Sequence, residues 1–204
     1  AWYSHSTARA LPSSGYTTQV EWNGSKFLAI RDSQPFATSA DGITWIAETA
    51  PASGGFGKTI AWNGSLWVTR QQFGANTIWS SPTGTAGSWT ARGAVTVGSW
   101  NAIAVKGTRF CLTCSGGDSG TFVSDDGITW THHTGAGTLP TGINSICSNG
   151  SVFIATNNAS FFVSSDGITW TTYAMPSTGE EWTGISWNGG VFAVVSTVAA
   201  HAAT

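Results

Sequence analysis

Ser164-Ser165-Asp166-Gly167-Ile168-Thr169-Trp170 is one of three near-copies of a single stretch in this chain. The others are Ser39-Ala40-Asp41-Gly42-Ile43-Thr44-Trp45 and Ser124-Asp125-Asp126-Gly127-Ile128-Thr129-Trp130. Each has the chemistry of a link between two antiparallel strands. The glycine takes positive φ, the aspartate accepts from nearby backbone N–H groups, and β-branched residues resume a strand before a large apolar anchor. Asp41, Gly42, Asp126, Gly127, Asp166 and Gly167 are therefore expected to be structural turn residues.

A second element recurs upstream of the first. Trp22-Asn23-Gly24-Ser25, Trp62-Asn63-Gly64-Ser65, Val105-Lys106-Gly107-Thr108, Ser148-Asn149-Gly150-Ser151 and Trp187-Asn188-Gly189-Gly190 make five units, whose glycines are 40, 43, 43 and 39 residues apart. A period near 40 with about four strands per unit is the pattern of propeller blades. Counting on from Gly189 to Thr204 and from Ala1 to Gly24 gives another 39 residues. The spacing thus predicts an all-β, five-bladed β-propeller of four-stranded antiparallel blades, a single domain over 1–204. The blades run over about 15–50, 51–93, 94–135, 136–177, and 178–204 completed by 1–14, whose N-terminal strand closes the ring.

Registering the units on that glycine predicts the core. Val20, Ile60, Ile103, Ile146 and Ile185 stand four residues before it, and Phe27, Trp67, Phe110, Phe153 and Phe192 three after it. β-Branched residues suit a strand covered on both faces, and the aromatics suit the widening gap between blades. In the second unit the Asp-Gly link is replaced by the longer Ser80–Trp89.

Composition agrees with short aromatic-packed strands: 12 Trp, 10 Phe and 26 Gly with a single Met. Only 9% of residues are charged and the net charge is −2, which argues against nucleic acid and anionic membranes as partners. No apolar run reaches membrane length and no signal segment opens the sequence, so no membrane insertion is expected. Cys111, Cys114 and Cys147 are too few to staple the domain and lack the ligand pattern of a metal site, so neither a metal nor a cofactor is expected.

At the Ser-x-Asp-Gly-x-Thr-Trp stretches the chain resembles the Asp-box, or bacterial neuraminidase, repeats of β-propellers. With Asp and Gly adjacent and Trp-Asn-Gly upstream, it looks most like the repeats of phage and prophage tail-type proteins. The resemblance implies that the boxes are turns remote from any ligand. It also implies a virion-surface or extracellular setting, with host-surface glycan and other virion or tail proteins as partners.

Candidate binding residues follow from blade geometry. The regular turns fall on one face and the irregular loops on the other, which is where binding on a rigid scaffold usually resides. Tyr16, Phe56, Trp100 and Trp182 stand at the start of the first strand of four units, with Ile143 at that place in the fourth. As a ring they would stack on sugars, with Arg31, Arg70, Gln72, Asn157 and Glu180 reading hydroxyls; alternatively they plug the blade seams. His132 and His133 are expected to be solvated loop residues. Glycoside hydrolysis needs two carboxyl groups facing one cleft, and Glu180-Glu181 is the best acidic candidate, so no catalytic residue is assigned. The sequence thus points to a non-catalytic module, a virion-surface or tail-associated adhesin for host carbohydrate. The alternatives are a structural or docking propeller that binds no sugar, and a glycosidase-like remnant.

Overall fold

A computed structural model of the chain describes residues 17–31, 35–52, 55–71, 77–94, 100–114, 119–175, 181–196 and 202–203. Among these residues the strands form five antiparallel sheets, each built from consecutive strands. The first holds β1 (Thr17–Trp22), β2 (Phe27–Arg31), β3 (Phe36–Ser39) and β4 (Ile46–Glu48), and the second β5 (Phe56–Trp62), β6 (Trp67–Gln71), β7 (Thr77–Ser81) and β8 (Thr90–Ala94). The third holds β9 (Trp100–Lys106), β10 (Arg109–Cys114), β11 (Thr121–Ser124) and β12 (Thr131–His133). β13 (Ser145–Ser148), β14 (Phe153–Thr156), β15 (Ser160–Ser164) and β16 (Thr171–Ala174) make the fourth. The fifth has three described strands, β17 (Trp182–Trp187), β18 (Phe192–Ser196) and β19 (Ala202–Ala203); the outer strand expected from residues 1–14 lies outside the described residues.

The first strands of successive sheets lie side by side, β1 against β5, β5 against β9, β9 against β13 and β13 against β17. The described residues form no closed ring. Sheets pack through the predicted columns. Ile60, Trp67, Phe110 and Phe153 are inaccessible to solvent, and Ile103 and Ile146 are buried. The ends of the series differ: Val20 is 45% exposed, and Phe27 and Phe192 are half-buried. An identical side chain is core only where a neighbouring sheet covers it.

The Asp-Gly stretches form one repeated structure. Asp41 Oδ1 accepts from the N–H groups of Ile43 (2.8 Å) and Thr44 (2.7 Å) and from the Ser39 hydroxyl, while Gly42 N–H donates back to Ser39 Oγ. Asp126 and Asp166 repeat the pattern. One expectation is corrected here. The Ile and Thr after the glycine do not resume the strand, because their N–H groups are held by the aspartate and cannot join a ladder. Pairing starts again only after the Trp, at Ile46, Thr131 and Thr171. The Asn of the upstream element acts likewise: Asn63 Oδ1 accepts from Ser65 and Leu66 N–H at 3.0 and 2.9 Å.

The Asp-Gly turns of the third and fourth sheets, and the variant link of the second, are wedged between their own sheet and the preceding one. A Cβ on Gly127 would lie 3.0 Å from the Phe110 ring of its own sheet and 3.2 Å from Val68 of the second. Gly167 stands in the same relation to Phe153 and Cys111, and Gly84 of the variant link to Trp67 and Leu28. Thr121 Oγ1 donates to the Gly167 carbonyl at 2.6 Å, tying the third sheet to the turn of the fourth.

Candidate functional site

The candidate residues that the structure describes lie mostly in the core. Phe56 is 1% exposed and packs edge-on against Phe36 with ring centroids 4.8 Å apart, and Trp182 is 1% exposed among Met175 and Val194. Neither offers a ring face to solvent. Ile143, at the equivalent place in the fourth unit, is wholly buried too. Trp100 opens β9 opposite Cys114 in the ladder. Tyr16, Gln72 and Glu180 lie outside the described residues.

The polar candidates are engaged as well. Arg31 and Arg70 are 1% and 2% exposed, and burial holds the Arg70 guanidinium down to about 10, still charged at neutral pH, although the neighbouring Cys114 acts in the opposite sense. Asn157 builds a tight turn: its Oδ1 accepts from the N–H groups of Ala159 and Ser160 at 2.9 and 2.8 Å. That carboxamide oxygen holds backbone, as the Asp-Gly aspartates do.

Two clefts stand out among the described residues. The larger, about 560 Å³, is apolar and lies between the fourth and fifth sheets, where Ile154, Phe161 and Met175 face Trp187, Val191 and Phe192. The smaller, about 300 Å³, is polar and lies by the Asp-Gly turn of the third sheet, lined by Arg109, Ser124, Asp125, Asp126, Thr131 and His133 among others. There Arg109 grips Asp125 with two bonds, Nε to Oδ1 at 2.6 Å and Nη2 to Oδ2 at 2.8 Å, and passes Nη1 to the Asp166 carbonyl at 3.0 Å. The guanidinium holds the Asp125 carboxyl below the usual carboxylate range.

Three features escaped the sequence reading. His132 is not a solvated loop residue: it stands on β12, stacks on Phe122 with ring centroids 4.1 Å apart, and has Nε2 4.0 Å from the buried Cys114 thiol. Its place was hidden because the contact joins residues 18 apart. Arg109 and Asp125 belong to a cleft that no local motif announces. Glu21 was missed although a signal for it exists, since the column three before the turn glycine reads Glu21, Ala61, Ala104, Cys147 and Ser186. A single acid among small residues on the innermost strands is a signal, and burial raises its carboxyl to about 7. The described residues hold no cluster of three His, Cys, Asp or Glu placed as metal ligands.

No protein-family model and no curated protein matches the sequence. Solved structures do. A chain described as YCF48 bound to D1 peptide is similar over 91% of this chain, at 14% identity with a TM-score of 0.66, and this chain spans 64% of it. A GH74 enzyme of Niastella koreensis is similar over 93%, at 19% identity and a TM-score of 0.61, with 30% of that chain covered. The WD40 β-propeller domain of Doa1 is similar over 89%, at 10% identity and a TM-score of 0.66, with 62% covered. These likenesses establish the class: an all-β, propeller-like fold of antiparallel sheets. Such neighbours include an enzyme as well as proteins not described as enzymes, so the fold alone assigns no activity.

Proposed function

We propose that the five sheets are the blades of one five-bladed propeller, closed by residues 1–14, that serves as a non-catalytic docking module in protein assembly. One observation carries the docking reading. Among the described loop-face residues suited to gripping a sugar, Phe56, Trp182, Arg31 and Arg70 are at most 2% exposed. A sugar platform needs accessible ring faces beside accessible donors, and these side chains are packed inside instead. A propeller-like neighbour is described as bound to a peptide, which fits a fold of this shape used to hold protein segments. The described Asp-Gly aspartates are committed to backbone N–H groups, in keeping with a role without catalysis. A virion-surface or extracellular setting follows from the resemblance of the repeats to those of phage tail-type proteins.

A glycan array probed with the folded chain tests the reading. No coherent binding is expected; binding to one glycan class, abolished by Trp100→Ala or by Asp125→Ala, would overturn it.

The second reading, an adhesin for host-surface glycan, has the polar cleft in its favour. Its 300 Å³ is lined by two carboxylates, a guanidinium and hydroxyls, groups that pair with sugar hydroxyls. On this reading the array signal is lost in Asp125→Ala and kept in Trp100→Ala.

A further inference from the structure

Four of the five upstream turns place Asn directly before glycine, at Asn23-Gly24, Asn63-Gly64, Asn149-Gly150 and Asn188-Gly189, and the remaining one has Lys106-Gly107. An Asn-Gly pair is chemically labile, because a glycine has no side chain to shield its nitrogen. That nitrogen gives up its proton and adds to the Asn Cγ, and the carboxamide nitrogen leaves with the proton as ammonia. Water then opens the cyclic imide at either carbonyl, giving aspartate or isoaspartate. The carboxamide must first leave whatever holds it, and the glycine N–H must be unengaged. The folded turns therefore differ in how far they restrain the reaction.

Asn63 is held most firmly. Its Oδ1 accepts from Ser65 N–H and the Ser65 hydroxyl, both at 3.0 Å, and from Leu66 N–H at 2.9 Å. Its Nδ2, the atom that must depart, donates to the Thr108 carbonyl of the third blade at 3.1 Å. Asn23 has the same three bonds on Oδ1, from Ser25 N–H, the Ser25 hydroxyl and Lys26 N–H. At Asn149 two N–H groups hold Oδ1, and the Gly150 nitrogen is itself engaged, donating to Ser148 Oγ at 3.1 Å. Asn188 has neither the hydroxyl nor the engaged glycine. Its Oδ1 accepts from Gly190 and Val191 N–H, both at 2.9 Å, Gly190 stands where the other turns have serine, and Gly189 N–H has no partner among the described residues. These differences lie within the turn, so they hold whichever blade stands beside it. The Asp-Gly turns are closed by another route, since Gly42, Gly127 and Gly167 N–H donate to serine Oγ at 2.9, 2.8 and 2.8 Å.

We propose that Asn188-Gly189 is a site of spontaneous covalent modification, where the folded chain deamidates first, and that Asn63-Gly64 is the most protected of the four. The two products act differently on the fold. Aspartate at 188 keeps the acceptor oxygen, as Asp41 does for the N–H groups of Ile43 and Thr44. Isoaspartate inserts an extra main-chain carbon before Gly189. The N–H of residue 188 then falls out of line with the Val191 carbonyl, which it meets at 3.3 Å, and the hairpin of β17 and β18 loosens. This goes beyond the docking reading, because the chemistry is the same whatever the propeller binds.

Peptide mapping by mass spectrometry of the full chain, aged in mildly alkaline buffer, follows all four sites at once. Asn188 should convert about tenfold faster than Asn63, whose carboxamide has two more hydrogen bonds to break. In urea, where the turns are lost, the four rates should draw together. Gly190→Ser supplies the missing hydroxyl: a Cβ there lies 3.7 Å from Asn188 Oδ1, and Gly190 is outside the left-handed region, so serine fits without strain. That variant should slow Asn188 several-fold and leave Asn23 and Asn63 unchanged. Ser65→Gly, the converse change, should quicken Asn63. Equal rates at Asn188 and Asn63 in the folded chain, the folded ranking persisting in urea, or no response to either substitution would each overturn the proposal.

Discussion

Gln19 and Ile60 are joined across two blades as if the side chain were a short piece of strand. Gln19 Nε2 donates to the Ile60 carbonyl at 3.0 Å, and Ile60 N–H donates to Gln19 Oε1 at 3.1 Å. Ile60 is wholly buried, so neither backbone group has water as a substitute. Removing the carboxamide strands both groups, and a buried unsatisfied polar group costs about 1–3 kcal/mol. Gln19→Leu is therefore expected to lower stability by about that amount in urea unfolding, and Gln19→Glu to lower it too, since it keeps the acceptor but sets a carboxylate oxygen against the Ile60 carbonyl. Equal stability of Gln19→Leu and wild type would mean that the blades are not held together at this point.

The turn glycines separate a backbone requirement from a packing requirement. Gly24 has φ +95° and nothing within 4 Å of a built Cβ, while Gly127 has φ +69° and lies 3.0 Å from Phe110 and 3.2 Å from Val68. Alanine at Gly24 meets only the penalty of the left-handed region, about 1–2 kcal/mol. Alanine at Gly127 meets that and an overpacked seam, worth about 1–3 kcal/mol more. Chemical denaturation of the two variants measures the difference; equal losses would show that the turn does not bear on the second blade.

How far the sequence was legible follows from how local each cause is. The Asn-Gly and Asp-Gly turns could be read because their hydrogen bonds span two or three residues, and the core places of Trp67, Phe110 and Phe153 because their column repeats. Phe56 and Trp182 were ambiguous since an aromatic at the start of a strand looks the same whether it faces a sugar or the next blade. The burial of Arg31 and Arg70, and the stacking of His132 on Phe122, depend on contacts between blades or strands that no local pattern carries. Val20 fits the column of Ile60 and Ile103 in sequence but is exposed, because its environment is set by a neighbouring blade and not by its own strand.

Two sets of carboxyls bend stability against pH in opposite directions. Glu21 is raised from 4.5 to about 7 by burial, so the folded chain holds a proton that the unfolded chain releases, and stability falls as pH rises from about 4.5 to about 7. At ~1.4 kcal/mol per tenfold difference in proton affinity the loss is up to roughly 3 kcal/mol, and less where water still reaches the carboxyl. Asp41 is lowered to about 2 by the N–H groups of Thr44 and Ile43. Asp126 is lowered by those of Thr129 and Ile128. At Asp166 burial acts the other way but is outweighed by the N–H groups of Ile168 and Thr169. A lowered carboxyl stabilises above its unfolded value near 3.8, and that contribution is lost as pH falls toward 2. Urea midpoints measured from pH 2.5 to 8 should therefore peak between about pH 4 and 5. Glu21→Gln should abolish the decline on the alkaline side and leave the acid limb in place. Wild-type stability that is flat or rising between pH 5 and 8 would show that Glu21 is hydrated and ionises normally in the folded chain.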